Sequence, residues 1–111
     1  MGPLDLAQKY MEIFFSGRDI ADLSHLFSND FTFSGPFYEF DSAADYLNSL
    51  KSDPPKKLHY KVIRAFENES SACLVYQFSK PGINIPMAQM FEVSNGKISK
   101  ILLIFDTGAF A

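Results

Sequence analysis

Gln89 is the most unusual polar residue of this 111-residue chain. It interrupts an alternating segment in which Met87, Gln89 and Phe91 would form one apolar face of a strand. A glutamine on such a face is uncommon, and a buried amide must find hydrogen-bond partners. An amide in an apolar pocket can orient a substrate oxygen, so Gln89 is a candidate donor. The alternative is a glutamine that is satisfied by its core neighbours.

Asp106 is the second candidate, because it closes the last apolar segment of the chain. It could act as a general acid or base at the mouth of a pocket. The Thr-Gly pair that follows favours a structural role, in which the carboxylate accepts hydrogen bonds from the backbone N–H groups of Thr107 and Gly108. No phosphate loop, dinucleotide fingerprint or nucleophile elbow is present.

Metal and cofactor chemistry find little support in the sequence. His25 and His59 share no ligand spacing with Cys73 or with a pair of carboxylates. We therefore expect no metal site and no cofactor. The single cysteine cannot form an internal disulfide, which favours the reducing cytoplasm.

Composition predicts one globular domain spanning residues 1–111, with 47% hydrophobic and 21% charged residues. Aromatic residues are abundant, with 12 Phe and 5 Tyr, and large rings can enclose apolar gaps. A net charge of −3 argues against nucleic acid or an anionic membrane as partner. No apolar run approaches the length of a bilayer span.

Helical patterns are confined to the first half of the chain. Apolar spacing predicts a helix over residues 4–16, with Gly17 as its left-handed C-cap. Asp19 is expected to cap a second short helix, which the polar residues 28–30 should end. A third helix is expected over residues 42–52, where the sequence begins like a capping box and stops at two prolines.

The second half of the chain alternates like strands. Two short extended pieces, 31–33 and 37–40, precede four long segments, which we expect at residues 57–67, 71–79, 85–94 and 97–106. In the first of these, Tyr60, Val62 and Phe66 should share a face. Asn95-Gly96 is the strongest hairpin signal. Helices segregated against an antiparallel sheet predict an α+β domain, whose curled sheet forms a cone that three helices close on the concave face.

The last segment, residues 97–106, is apolar on both faces, which is typical of a strand buried on both sides. Because the predicted helices can cover only the concave face, we expect a homodimer through the outer sheet face. The expected outer-face residues are Ile63, Ala65, Cys73, Val75, Ala88, Met90, Leu102 and Ile104.

The order of elements and several residues together resemble a known family. The likeness is carried by Tyr10, Gly17 to Asp19, Leu26-Phe27 before Asp30, Phe31-Thr32-Phe33, Pro36, and Asn95-Gly96-Lys97-Ile98 leading to Phe105-Asp106. In these features the chain resembles the SnoaL-like branch of the nuclear-transport-factor-2-like superfamily. The resemblance implies a cone-like fold, but its members include isomerases, dehydratases, epoxide hydrolases, polyketide cyclases and pure binders.

Ketosteroid isomerase is a relative whose functional positions can be carried over. Its oxyanion-binding tyrosine matches Tyr10, and its second donor falls near Gln89. Its general-base aspartate, however, falls on Gly35, directly before Pro36. Without a base at that place, proton abstraction next to a carbonyl has no agent, so we do not expect steroid isomerase activity.

The resemblance and the residues together predict a protein that binds a small, mostly apolar molecule in the cone. If it is an enzyme, we expect a cofactor-independent isomerase, cyclase or lyase, with Tyr10 and Gln89 as donors and Asp106 as base. The alternative is a non-catalytic binding or dimerisation module whose cone is plugged by its own rings. The expected lining residues are Phe14, Phe27, Phe33, Tyr46, Tyr60, Tyr76, Phe78, Met87, Phe91, Leu103 and Phe105.

Overall fold

Helices precede the long strands, in a computed structural model that describes all 111 residues. Helix α1 is Pro3–Ser16 and helix α2 is Ala43–Ser52. A 3-10 helix, Ile20–Leu26, lies between α1 and the first strand, and a second one, Thr107–Phe110, follows the last strand. None of these helices combines the length and the apolar character that crossing a membrane requires.

The structure has six strands, which are β1 Phe27–Ser34, β2 Glu39–Phe40, β3 His59–Glu67, β4 Ser71–Lys80, β5 Ile83–Ser94 and β6 Lys97–Ile104. They form one curved, unclosed sheet in the order β2-β1-β6-β5-β4-β3. The four long strands, β3 to β6, form the expected antiparallel meander, whereas β1 pairs with β6 in parallel. The predicted α+β class is confirmed.

Helix α1 ends, and helix α2 begins, at the capping residue that the sequence predicts. Gly17 has a φ of 67° and donates its backbone N–H to the carbonyl of Phe14, as a left-handed C-cap does. Ser42 caps α2, because its Oγ accepts a hydrogen bond of 3.1 Å from the backbone N–H of Asp45. These caps fix the two helices that face the sheet.

The second helix and the first strand differ from the prediction. The helix is of the tighter 3-10 type, and Asp19 precedes it without a side-chain capping bond. Residues 28–30 do not end the helix, because β1 already begins at Phe27 and includes them. The pairing of Phe27 with Ile98 of β6 holds this polar stretch in the strand, with an irregular register before Thr32.

A bulge in β3 makes one prediction about faces wrong. The pairing with β4 shifts at Ile63, which stands as an extra residue in β3. Beyond this point Ala65 lies opposite the buried Leu74, on the core face, and Phe66 lies opposite Cys73, on the outer face. Since one inserted residue exchanges the two faces of a strand, Ala65 and Phe66 have swapped the positions expected of them.

The core lies between the concave face of the sheet and α1. Alternate residues of β4 are buried as expected, and the apolar face of α1 packs on them. The narrow end of the cone is filled with rings, among them Phe31 and Phe91, neither of which is exposed at all. The buried residues of α1 and β4 are Leu6, Ala7, Tyr10, Met11, Ala72, Leu74, Tyr76 and Phe78.

The convex face of the sheet is covered by no element of this chain. Ile104 at the end of β6 is 56% exposed, and Phe66 is 58% exposed. Cys73, Met90 and Leu102 lie between them in the sheet and are half-buried. The outer face of the last strand is therefore apolar and open to solvent in the single chain.

Candidate functional site

A cavity of about 470 Å³ opens between the concave face of the sheet, the two α-helices and the loop of residues 35–38. Sixteen of its 22 lining residues are hydrophobic. This volume lies within the range of small-molecule sites, and the lining is of the apolar kind that such sites have. The rings of the chain fill the narrow end of the cone but leave this space empty.

Most of the residues predicted from the sequence lie around this cavity. They come from α1, α2 and four of the strands, so the fold brings together side chains that are far apart in the chain. The predicted residues that line it are Tyr10, Phe14, Phe33, Tyr46, Tyr76, Phe78, Met87, Gln89, Leu103 and Phe105.

Three of the rings expected in the lining lie elsewhere. Phe27 stacks on Phe31 with the ring centres 4.0 Å apart, and Phe91 meets Tyr10 edge-on, so both belong to the packed narrow end. Tyr60 lies on the edge strand β3, where its ring packs against Phe15 and lines a separate shallow groove. Sequence alternation places a ring on the concave face but not at a given depth.

Asp106, the predicted base, does not line the cavity. It follows the end of β6 and is exposed. Its carboxylate caps the second 3-10 helix by accepting a 2.9 Å hydrogen bond from the backbone N–H of Gly108. The structural alternative read from the Thr-Gly pair is the one that the structure shows.

The inner end of the cavity holds two hydrogen-bonded hydroxyl groups, those of Tyr10 on α1 and Tyr46 on α2. Their rings are held by stacking, Tyr10 on Phe14 and Tyr46 on Phe33. Either oxygen can be the donor, so one of the two protons remains available to a bound molecule.

A second polar pair lies beside the first. The hydroxyl of Tyr76 donates a 2.8 Å hydrogen bond to Oε1 of Gln89. The amide of Gln89 also interacts with the Tyr10 hydroxyl, whose pKa it lowers, and no fully buried side-chain polar atom lacks a partner. The amide nitrogen carries two N–H groups, so one of them remains for a ligand in the cavity that Gln89 lines.

Burial keeps the phenols of the cavity protonated. It raises the pKa of Tyr10 to about 12, although the hydroxyl of Tyr46 and the amide of Gln89 offset part of that rise. Burial also raises the pKa of Tyr46 well above its usual value, and the neighbouring Tyr10 adds to the effect. The pKa of Tyr76 is raised by the same two causes. At neutral pH these groups donate hydrogen bonds and do not act as bases.

Asp53 was missed as a candidate, because the sequence shows it only as the residue that ends α2. It is the one charged side chain in the lining, and it is exposed at the mouth. Pro54 and Pro55 predict where α2 ends, but they do not indicate that this end borders the cavity. His25 and His59 do not line the cavity.

Gly35 lines the cavity between Phe33 and Leu103. A Cβ built on Gly35 would stand 3.2 Å from the Phe33 ring, which is a tight contact. A side chain here would therefore require the Phe33 ring to shift. The position where the resemblance expects a base, Gly35, thus lies directly against the ring of Phe33.

Solved structures of similar fold are numerous. A nuclear-transport-factor-2-like protein of unknown function from Cytophaga hutchinsonii is 22% identical, with 96% of this chain and 91% of that chain covered and a TM-score of 0.81. A candidate ketosteroid isomerase from Kribbella flavida is 20% identical, with coverages of 92% and 78% and a TM-score of 0.76. A candidate polyketide cyclase from Pseudomonas putida is 16% identical, with coverages of 99% and 96% and a TM-score of 0.78. At these identities the likeness shows the fold alone.

No curated protein matches the chain in sequence. The family model of the SnoaL-like domain matches residues 7–101, which is most of the chain. The match includes most of α1, all of strands β1 to β5, and the Tyr10, Tyr46, Tyr76 and Gln89 side chains at the inner end of the cavity. The chain therefore belongs to the SnoaL-like domain family, within the nuclear-transport-factor-2-like fold.

Proposed function

We propose that the protein binds a small, uncharged and mostly apolar molecule in the cavity. The observation that carries this proposal is an empty volume of about 470 Å³ that is walled mainly by hydrophobic side chains. The lining offers no cation to an anionic ligand, and its single carboxylate is at the mouth. The ligand is therefore held by apolar contacts, and its polar part is selected at the inner end.

The polar part of the ligand is an oxygen that accepts hydrogen bonds. At the inner end one N–H group of Gln89 and one hydroxyl proton of the Tyr10–Tyr46 pair are free to donate to a ligand. Because both sources donate, they match a carbonyl, ether or hydroxyl oxygen. A ligand without such an oxygen would leave these donors without partners when it displaces water.

The same donors support a catalytic form of the proposal, a cofactor-independent isomerase, cyclase or lyase. Neutral phenols and an amide could stabilise negative charge that develops on the ligand oxygen. The carboxylate for proton transfer would then be that of Asp53 at the mouth, in place of Asp106. The non-catalytic alternative is favoured by one observation: Gly35 leaves no base beside the inner donors.

We further propose that the protein forms a homodimer through the outer sheet face. We also propose that it acts in the cytoplasm. The face combines exposed apolar side chains, such as Phe66 and Ile104, with charges of both signs, such as Arg64 and Glu92. A two-fold contact brings a surface against a copy of itself, so a patch with both signs can be complementary to itself.

The binding proposal is tested with two ligands of similar size, 2-acetylnaphthalene and 2-ethylnaphthalene, which differ by a carbonyl oxygen. We expect both to bind in equilibrium dialysis, and the ketone to bind about five- to tenfold more tightly, as one hydrogen bond would give. The substitution Gln89→Leu should reduce the preference, because the amide donor is lost and only the Tyr10–Tyr46 pair remains to bind the ketone oxygen.

Gln77→Leu is the matched control, since Gln77 lies on the same strand as Tyr76 but bonds Asn84 outside the cavity. It should leave both affinities unchanged. Failure of both naphthalenes to bind the wild-type protein would overturn the proposed function. Equal affinity for the two would overturn the role given to Gln89.

A further inference from the structure

The second 3-10 helix is held to the rest of the protein by side chains alone. Its backbone hydrogen bonds stay within the segment: Ala109 donates to the carbonyl of Asp106, and Ala111 donates to that of Gly108. The Asp106 carboxylate bonds Gly108, again inside the segment. No backbone ladder therefore resists a movement of residues 107–110 as a unit.

Phe110 is the side chain that anchors this helix. Its ring centre is 5.5 Å from that of Phe37 and 5.2 Å from that of Phe105, in edge and tilted arrangements. It also approaches Phe78 at 6.5 Å. The ammonium group of Lys80 lies 5.4 Å from the centre of the Phe110 ring, a cation–π contact.

The anchoring cluster is also a wall of the cavity. Phe37, Phe105 and Phe110 all line it, and Phe37 is 50% exposed, which places this wall at the mouth. The hydroxyl pair of Tyr10 and Tyr46 is buried at the other end. The ring of Phe110 therefore lies between the cavity and the solvent at the mouth, next to the loop of residues 35–38.

We propose that residues 107–110 form a lid that closes the mouth through Phe110 and is latched by Lys80. The proposal rests on the cavity being the functional site, as the proposed function has it. Opening requires loss of one cluster of ring contacts and one cation–π contact, with no change in the sheet. The rate at which molecules enter then follows the fraction of time that the lid is open.

The test measures access without any ligand, by labelling a thiol placed inside the cavity. Met87→Cys puts a thiol at a buried lining position, and Cys73→Ser removes the native thiol of the outer face. N-ethylmaleimide, which is small and uncharged, is the probe. In this background, we expect Phe110→Ala to raise the labelling rate by about tenfold or more.

Lys80→Met keeps the ring in place and removes only the latch, so a smaller increase of about two- to fivefold is expected. Lys61→Met is its matched control, because Lys61 is exposed on β3 and touches neither the lid nor the cavity. Urea unfolding of each variant shows whether it loosens the whole fold, because general loosening would lower the free energy of unfolding.

A labelling rate within about twofold of the parent in Phe110→Ala would overturn the lid. If Phe110→Ala does not fold, Lys80→Met decides alone: a rate equal to that of Lys61→Met overturns the proposal. A higher labelling rate of the cavity thiol, with no loss of stability, supports the lid. Because no ligand is needed, the lid can fail while the naphthalene ligands still bind, and it can hold when they do not.

Discussion

At the inner end of the cavity, two phenols and an amide are buried without a formal charge. Their arrangement makes Tyr10, Tyr46 and Gln89 hydrogen-bond donors or acceptors and leaves no general base among them. In the proposed function this end therefore selects an oxygen atom of the ligand. The same burial links the stability of the fold to alkaline pH.

We expect the free energy of unfolding to fall as pH rises from 10 to about 12. In the unfolded chain the Tyr10 phenol loses its proton near its ordinary pKa of 10, whereas in the folded chain it holds that proton until about 12. Proton release thus favours the unfolded state, and the stability is complete only below pH 10. Tyr10 alone contributes up to about 3 kcal/mol, and urea unfolding between pH 9 and 11.5 measures the slope.

Tyr10→Phe is the control for this prediction. The free energy of unfolding of this variant should fall less steeply with pH than that of the wild type. It should still fall, because Tyr46 and Tyr76 also have raised pKa values. A wild-type stability that is constant up to pH 11.5 would contradict the prediction. The comparison also reports whether the hydroxyl pair is sealed from water.

Sequence reasoning found Gln89 because a polar residue in an apolar alternation is visible locally. It could not find the hydrogen bond between Tyr10 and Tyr46, since that bond depends on how α1 and α2 dock across the cone. Asp53 was missed for a similar reason. Its position at the mouth follows from the placement of α2, which no residue near Asp53 encodes.

At the scale of elements, the end of α1 is fixed by a close approach of two backbone segments. Gly17 has a positive φ, and a Cβ there would stand 2.7 Å from the carbonyl oxygen of Pro55. The turn after α1 therefore fits directly against the segment after α2. The two helices that carry Tyr10 and Tyr46 are tied together at this point.

We expect Gly17→Ala to destabilise the protein more than Gly82→Ala. Both glycines have a positive φ, so both changes should cost about 1 kcal/mol of backbone strain. Only Gly17 also meets a backbone atom, whereas no atom lies within 4 Å of a Cβ at Gly82. The difference should be at least about 1 kcal/mol in urea unfolding, and equal losses would show that the Pro55 contact is unimportant.

The Asn95-Gly96 turn and the caps at Gly17 and Ser42 were predictable because a few neighbouring residues decide them, whereas the expected capping bond of Asp19 does not form. Asn95 and Gly96 have φ values of 51° and 75°, as their hairpin type requires. The bulge at Ile63 was not predictable, since it arises from the pairing of β3 with β4 rather than from β3 itself. The strand character of residues 28–30 likewise depends on their neighbour β6.

At the scale of the whole molecule, a curved sheet divides two different surfaces. The concave face carries the helices and the cavity, and the convex face carries apolar residues that nothing in the chain covers. Leaving such residues in water costs about 1.5–3 kcal/mol for each large side chain. This cost is the physical reason for expecting a second copy on the convex face.

We expect the wild-type protein to sediment with the mass of two chains at about 10 µM, which is typical of a stable homodimer. Ile104→Asp should give the mass of one chain, because a carboxylate would be buried in the contact. Tyr38→Asp is the control, since Tyr38 is 66% exposed at the cavity mouth and lies away from the convex face. A monomeric wild-type protein, or a dimeric Ile104→Asp variant, would contradict the proposal.

The parallel pairing of β1 with β6 has a consequence for how the protein is made. Apart from the short β2, strand β1 pairs only with β6, which is synthesised after the four intervening strands. Such distant partners make folding slow, because the entropy of closing the long loop between them is lost before their contacts form. The phenylalanine-rich stretch around β1 is thus exposed to aggregation until β6 is available.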